Sequence, residues 1–310
     1  MTTIKKYLSL IKFSHTIFAM PFALIGFFLG LVKRNAEEYH GAPVPGFHYT
    51  QPKTDDTILK FILVVLCMVF ARSAAMAFNR WLDKNFDAKN PRTAIREIPA
   101  GLIKANNALV FVILSCIAFI TCCWFINMLC FYLSFVALFV VLFYSYTKRF
   151  TALCHLVLGV GLSLAPIGAY LAVTGKFDLL PILFSFTVLF WVSGFDIIYA
   201  LQDEEFDKAN DLYSIPAALG KKKALRVSEI LHVLSALCII FAGIYGVFGL
   251  WYWIGVGVFL SMLVYQHSIV KPDDLRRVNL AFMTANGIAS VVFSVFVLID
   301  IYFTKFTIVY

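Results

Sequence analysis

The sequence predicts an all-α, polytopic membrane protein with nine transmembrane helices in a single domain, residues 1–310. Three observations carry this. Hydrophobic residues make up 61% of the 310 and charged residues only 14%, whereas a soluble domain is roughly a quarter charged. Apolar runs of about 20 residues, the length that crosses a bilayer core, recur from one end to the other. Most of the 26 Lys and Arg residues fall in alternate connections between those runs, as the positive-inside rule requires.

In order, the predicted spans are 10–32, 57–79, 104–124, 127–147, 152–174, 180–200, 224–247, 249–268 and 277–300. Asn127 is the only polar break between the third and fourth; merging them would reverse every later span. With the N-terminus in the cytoplasm, cytoplasmic segments hold the clusters Lys5 to Lys12, Arg80 to Lys104, Lys148 and Arg149, Lys208 to Arg226, and Lys271 to Arg277. The outer segments hold Lys33, Arg34, Lys53, Lys60, Lys176 and Lys305. The outer connection 33–56, with Gly41, Pro43, Pro45 and Gly46, reads as irregular. Gly159 and Gly161, and Gly243, Gly246 and Gly249, are placed for close helix contact.

Several classes are excluded. The seven cysteines are odd in number, lie almost all within apolar runs and lack C-x-x-C pairs, so neither a disulfide framework nor a zinc site is indicated. The net charge of +8 is dispersed over the connections and explained by topology rather than by nucleic acid. The first apolar run lacks a small-x-small cleavage site and is long enough to span. With no room before it for an organelle transit peptide, a bacterial cytoplasmic (inner) membrane is expected.

Two stretches break the apolar pattern, FNRWLDKNFD (Phe78 to Asp87) and FDIIYALQDEEFD (Phe195 to Asp207), each closing a span on the expected cytoplasmic side. Asn79, Asp83 and Asp87 recur every four residues. At about 100° per residue they drift only about 80° around a helix, with Arg72 on the same face. Asp196, Asp203 and Asp207 lie within about 20° of one line, close to Tyr199. Such charges are too costly to face lipid, so they face one another or a water-filled cavity. Carboxylates on two helix ends suit a hard divalent cation, above all Mg²⁺, which completes its shell with water and phosphate oxygens. That points to a diphosphate, with Arg80, Lys84, Lys148 and Arg149 on the same side to neutralise it.

At these residues the chain resembles the UbiA superfamily of intramembrane aromatic prenyltransferases, in its 4-hydroxybenzoate polyprenyltransferase-like branch. NRWLDKNFD and DIIYALQDEEFD match that superfamily's two Asp motifs. RTAIREIPAG (Arg92 to Gly101), YSYTKRFT (Tyr144 to Thr151) and FSHTIFAMPFAL (Phe13 to Leu24) match further segments in the same order. The resemblance implies nine helices around a central cavity opening to the cytoplasmic side. The implied reaction is Mg²⁺-dependent transfer of a polyprenyl group from its diphosphate to an aromatic acceptor, 4-hydroxybenzoate foremost, in respiratory quinone synthesis.

Residue by residue, Asn79, Asp83 and Asp87 would bind one Mg²⁺, and Asp203 and Asp207, helped by Asp196, the other. Asp83, Asp87, Asp203 and Asp207 are thus the catalytic set. Lys148 and Arg149, with Arg80 and Lys84, would hold diphosphate oxygens. Arg72 would take the acceptor carboxylate or the diphosphate, or else snorkel. Tyr144 and Tyr199 would position the acceptor or simply pack. Arg92, Thr93 and Arg96 would close a loop over the site, while Glu204 and Glu205 read as solvated. The lipid bilayer is the remaining partner. A menaquinone-pathway acceptor, futalosine-type or naphthoate, would use the same chemistry. An ion-coupled transporter is the alternative of a different class; it would be expected to show internal repeats and midplane breaks, not acidic residues gathered at one face.

Overall fold

The computed structural model describes residues 3–11, 18–40 and 54–305. The predicted Lys12 and Lys53, and part of the Phe13 to Leu24 segment, lie outside these residues. Every element of length is helical: α1 (Thr3–Leu10), α2 (Met20–His40), α3 (Thr54–Leu82), α4 (Lys84–Lys89), α5 (Ala105–Ile126), α6 (Met128–Thr147), α7 (Cys154–Thr174), α8 (Leu179–Ala200), α9 (Glu204–Ala209), α10 (Ile215–Tyr245), α11 (Leu250–Ile269) and α12 (Asn286–Asp300). Among the described residues there is no β-strand, only an isolated bridge between Lys271 and Asp274.

Seven helices are long and apolar enough to cross a membrane: residues 56–82, 105–126, 128–147, 154–174, 179–209, 215–245 and 280–304. Two further helices of similar length accompany them. In α2 the last turns carry Lys33, Arg34, Glu37 and Glu38, and α11 is rich in Trp, Tyr and Gly; both features lower hydropathy. The chain is therefore a multi-pass membrane protein. The predicted irregular connection at 33–56 is shorter than expected. Helix α2 continues to His40 and α3 begins at Thr54, leaving 41–53 outside the described residues.

Local chemistry ends the helices where the sequence allows. Asn127 both closes α5 and caps α6, its Oδ1 accepting from the Cys130 N–H at 2.8 Å and its Nδ2 donating to the Leu171 carbonyl at 3.0 Å. One polar residue thus satisfies a free N–H at the start of α6 and ties the turn to the end of α7. Ser214 caps α10 by accepting from the Ala217 N–H. That helix bends at Gly220, whose φ of +77° excludes most side chains.

Buried apolar clusters run through the bundle, the most aromatic of them on one side. Phe22, Phe184, Trp191, Tyr252, Phe259 and Phe293 are fully buried between α2, α8, α11 and α12. Close approach is set by glycine: a Cβ on Gly26 of α2 would lie 2.0 Å from the Pro166 carbonyl oxygen of α7, and one on Gly159 of α7 would lie 2.5 Å from the Leu189 carbonyl of α8. Smaller clusters join α2, α3, α5, α6 and α7, and the bundle encloses a hollow lined by α3, α5, α6, α7 and α8. All seven cysteines are free thiols.

Candidate active site

The hollow is a cavity of about 850 Å³. Its walls are apolar over most of its depth, with Val64, Met68, Phe119, Leu162 and Phe195 among them, and its charged groups gather at one end. Both acidic stretches reach that end, as the sequence requires of charges that cannot face lipid.

The first stretch crosses from α3 to α4. Hydrogen bonds from the Asp83 N–H to the Asn79 carbonyl (2.9 Å) and from the Asp87 N–H to the Asp83 carbonyl (2.8 Å) preserve helical spacing across the turn. Asn79, Asp83 and Asp87 therefore all line the cavity. Asn79 Nδ2 donates to Asp83 Oδ2 at 3.0 Å, and Arg149 Nη2 to Asp83 Oδ1 at 2.8 Å. Burial pushes the Asp83 carboxyl above its ordinary range, and Arg149 offsets only part of this. Asp87 receives Arg96 Nη1 at 2.5 Å on Oδ1. Its other oxygen lies 3.9 Å from Arg80 Nη1 and is buried without a hydrogen-bond partner.

The second stretch departs from one continuous helix. After α8 the chain makes a 3₁₀ turn over Leu201–Asp203 before α9, yet Asp196, Asp203 and Asp207 all line the cavity. Arg92 forks onto Asp203, with Nε to Oδ1 at 3.0 Å and Nη2 to Oδ2, while its Nη1 donates to the Tyr199 hydroxyl oxygen at 2.9 Å. Asn90 Nδ2 also reaches Asp203 Oδ1, at 3.2 Å. Burial pulls the Arg92 guanidinium down, but Asp203 and Tyr199 more than reverse this and it is raised. Asp207, fully buried, takes Lys148 Nζ at 2.8 Å and the Ser214 hydroxyl at 2.8 Å. Burial likewise lowers Lys148 and Asp207 more than compensates. Asp196 pairs with His155 Nδ1 at 2.7 Å. Since the Ile215 N–H donates to His155 Nε2 at 3.4 Å, the proton is assigned to Nδ1.

Each carboxylate thus has a cation or imidazole partner, several of them from distant sequence. The loop 90–97 reaches both stretches, Arg92 to the second and Arg96 to the first. Neither link is encoded in local spacing, and sequence reasoning gave these arginines only a covering role. It missed His155 and Asn90 altogether; no spacing signal marks them. Other expected residues are placed differently. Arg149 braces Asp83 but does not line the cavity; it also donates to the Ser145 and Leu82 carbonyls. Lys84 is also absent from the cavity wall, its Nζ lying 5.1 Å from the centroid of the Trp81 ring. Glu204, expected to be solvated, is 8% exposed and bound by Lys208 at 2.6 Å.

Arg72 and Tyr144 line the cavity below the acidic end. Arg72 has no hydrogen bond or ion pair among the described residues, and its Nε is buried without a partner. A guanidinium so placed carries a charge that no carboxylate among the described residues neutralises.

The donor set fits a hard divalent ion. It consists of carboxylate oxygens on two facing stretches, one of them, Asp87 Oδ2, buried and orphaned. Among the described residues no three Asp, Glu, His or Cys side chains already converge on one point; the cations hold the carboxylates instead. A ligand bringing both metal and phosphate would give carboxylates and cations new partners of opposite charge.

Comparison with known proteins shows the family and the fold. Residues 44–288 match the model of the UbiA prenyltransferase family. A 4-hydroxybenzoate octaprenyltransferase of Nitrosomonas europaea is 32% identical over 75% of this chain and 80% of its own length. One of Francisella tularensis subsp. holarctica is 29% identical over 76% and 83%. Among solved structures, the apo structure of a UbiA homolog from Aeropyrum pernix superposes with a TM-score of 0.73 at 26% identity, covering 93% of this chain and 97% of that one. A UbiA homolog from Archaeoglobus fulgidus bound to DMAPP and Mg²⁺ gives a TM-score of 0.71 at 19% identity, covering 96% and 99%.

Proposed function

The chain belongs to the UbiA prenyltransferase family, and from that premise we propose that it transfers a polyprenyl group from a polyprenyl diphosphate to 4-hydroxybenzoate in quinone synthesis. It is a membrane-embedded prenyltransferase. The observation that carries the reading is the joining of two Asp stretches, with their cations, at one end of an apolar chamber. That is where a water-soluble diphosphate must meet a lipid-soluble tail.

Asn79, Asp83 and Asp87 would hold one Mg²⁺, and Asp203 and Asp207, with Asp196 beside them, a second. When bound, the metal draws electron density from the diphosphate oxygens and stabilises them as a leaving group. Lys148 and Arg92, released from Asp207 and Asp203, turn to those oxygens, with Arg80 behind them. Arg149 keeps Asp83 in place. Arg72, unpartnered in the wall, takes the acceptor carboxylate, and Tyr144 packs the acceptor against the donor. The apolar walls keep water from the developing allylic cation.

The same reading gives nine membrane spans in one domain over 1–310. The N-terminus and the charged mouth would face the cytoplasm across a bacterial inner membrane. The loop charges support it, since Lys148, Arg149, Lys221 and Arg276 all share the side of the acidic stretches.

The test supplies membranes containing the protein with geranyl diphosphate, Mg²⁺ and 4-hydroxybenzoate, and follows prenylated product by mass. Product from the wild type but not from Asp203→Ala is expected. Product only with a dihydroxynaphthoate-type acceptor would replace the acceptor, and silence with every acceptor would overturn the reading.

A further inference from the structure

Before α12 the helix widens into a π-turn over Leu280–Ala285. π-turns are rare and strain the backbone ladder, so one that persists needs support. Here the support is Asn286, fully buried. Its Nδ2 donates to the Ala281 carbonyl at 3.2 Å and the Phe282 carbonyl at 3.0 Å, while its Oδ1 accepts from Trp191 Nε1 and Gln266 Nε2, each at 2.9 Å. Both amide hydrogens and both acceptor positions of the side chain are used. One residue therefore ties the widened turn to α8 and α11.

The turn carries Phe282 to the cavity wall. Its ring centroid lies 4.3 Å from that of Tyr199, 5.4 Å from Phe18 and 5.4 Å from Phe195, the last two edge-on. All four rings line the chamber, and Phe282 is in contact with each of the other three. Tyr199 in turn accepts from Arg92, which holds Asp203. The Phe282 ring is thus one aromatic contact from the acidic end. By contrast, Phe22, Phe259 and Phe293 are fully buried in the core and do not line the chamber.

We infer that Phe282 is the aromatic wall facing the allylic carbon of the donor as its charge develops, and that Asn286 is the positioning residue that turns it there. The inference rests on the prenyl-transfer reading. In that reaction the carbon–oxygen bond breaks with its electron pair going to the diphosphate, leaving the allylic carbon positive. A π pair of the acceptor ring then forms the new carbon–carbon bond, and the displaced ring proton leaves to water at the charged mouth. Until that bond forms, the negative face of an aromatic ring stabilises the cation and its bulk excludes water, which would otherwise give prenyl alcohol and a proton.

The experiment uses purified full-length protein with geranyl diphosphate, Mg²⁺ and 4-hydroxybenzoate. It measures kcat, KM for the diphosphate, and the ratio of prenylated acid to prenyl alcohol per pyrophosphate released, with melting temperature as the fold control. Phe282→Leu is expected to lower kcat about tenfold, leave KM nearly unchanged and raise the alcohol fraction. Phe282→Tyr, which keeps the ring, should recover most of the rate and ratio lost in Phe282→Leu. Asn286→Leu should shift the ratio in the same direction as Phe282→Leu. A folded Phe282→Leu protein with wild-type kcat and ratio would overturn the role of the wall. An Asn286→Leu protein that melts lower or loses rate with its ratio unchanged would reduce Asn286 to a structural residue and overturn its positioning role. Absence of pyrophosphate release from the wild type itself would overturn the reading beneath both, and is distinguished by appearing without any substitution.

Discussion

The two acidic stretches are alike in sequence and unlike in how the fold holds them. Asp87, in the first, sits beside Arg80, and both side chains are almost completely buried. Asp207, in the second, is equally buried, but its partner Lys148 is one-third exposed. Arg80 beside Asp87 has almost no access to water, although Arg96 on the other Asp87 oxygen is 21% exposed, whereas Lys148 can open toward water. On the proposed reading, the first set of carboxylates would serve stability as well as ligand binding, and the second mainly binding.

The largest expected effect tests what the stretches share. Asp83→Ala and Asp203→Ala should each reduce prenyl transfer by on the order of 10³-fold, as for loss of a principal electrostatic contact to the leaving group. Unequal losses would show that one stretch dominates the reaction. The difference between them is tested by melting. Asp87→Ala strands the buried Arg80 charge and should cost about 3–5 kcal/mol, seen as a clear fall in melting temperature in detergent. Asp207→Ala lets Lys148 turn to solvent and should melt close to wild type.

A third comparison concerns the cations. Arg92 grips Asp203 as a fork, and a Lys there cannot reproduce it. Once released to the diphosphate, that fork is what the leaving group would lose, so Arg92→Lys should raise KM for the diphosphate about tenfold. Arg149→Lys keeps its one charged contact to Asp83 and should shift it less. The smallest effect is expected of Tyr199→Phe, which removes only the hydroxyl that accepts from Arg92 and keeps the ring. A roughly threefold drop in kcat/KM would fit one lost hydrogen bond.

Much of this was legible in the sequence, for identifiable reasons. Hydropathy located the long helices because lipid demands apolar side chains and internal hydrogen bonding. Asn127 correctly separated two of them because it alone could cap both ends. The spacing of Asn79, Asp83 and Asp87 predicted one cavity-facing row, and the helical hydrogen bonds across the turn preserve it. What was not legible is what distant segments do together. The pairing of Arg92 with Asp203 spans 111 positions, and that of His155 with Asp196 spans 41; no local period encodes either. Lys84 illustrates the converse. It stands within the first stretch, but its position on the helix turns it to Trp81 instead of the chamber. The π-turn before α12 leaves no mark in hydropathy, since widening a helix by one residue does not change composition.

On the proposed reading, both stretches bind a single diphosphate through Mg²⁺. Calorimetric titration of the purified protein with a non-hydrolysable thio analogue of geranyl diphosphate, with and without Mg²⁺, tests it directly. Binding that requires Mg²⁺ and is lost in both Asp83→Ala and Asp203→Ala is predicted. Binding that persists without Mg²⁺, or survives either substitution undiminished, would contradict it.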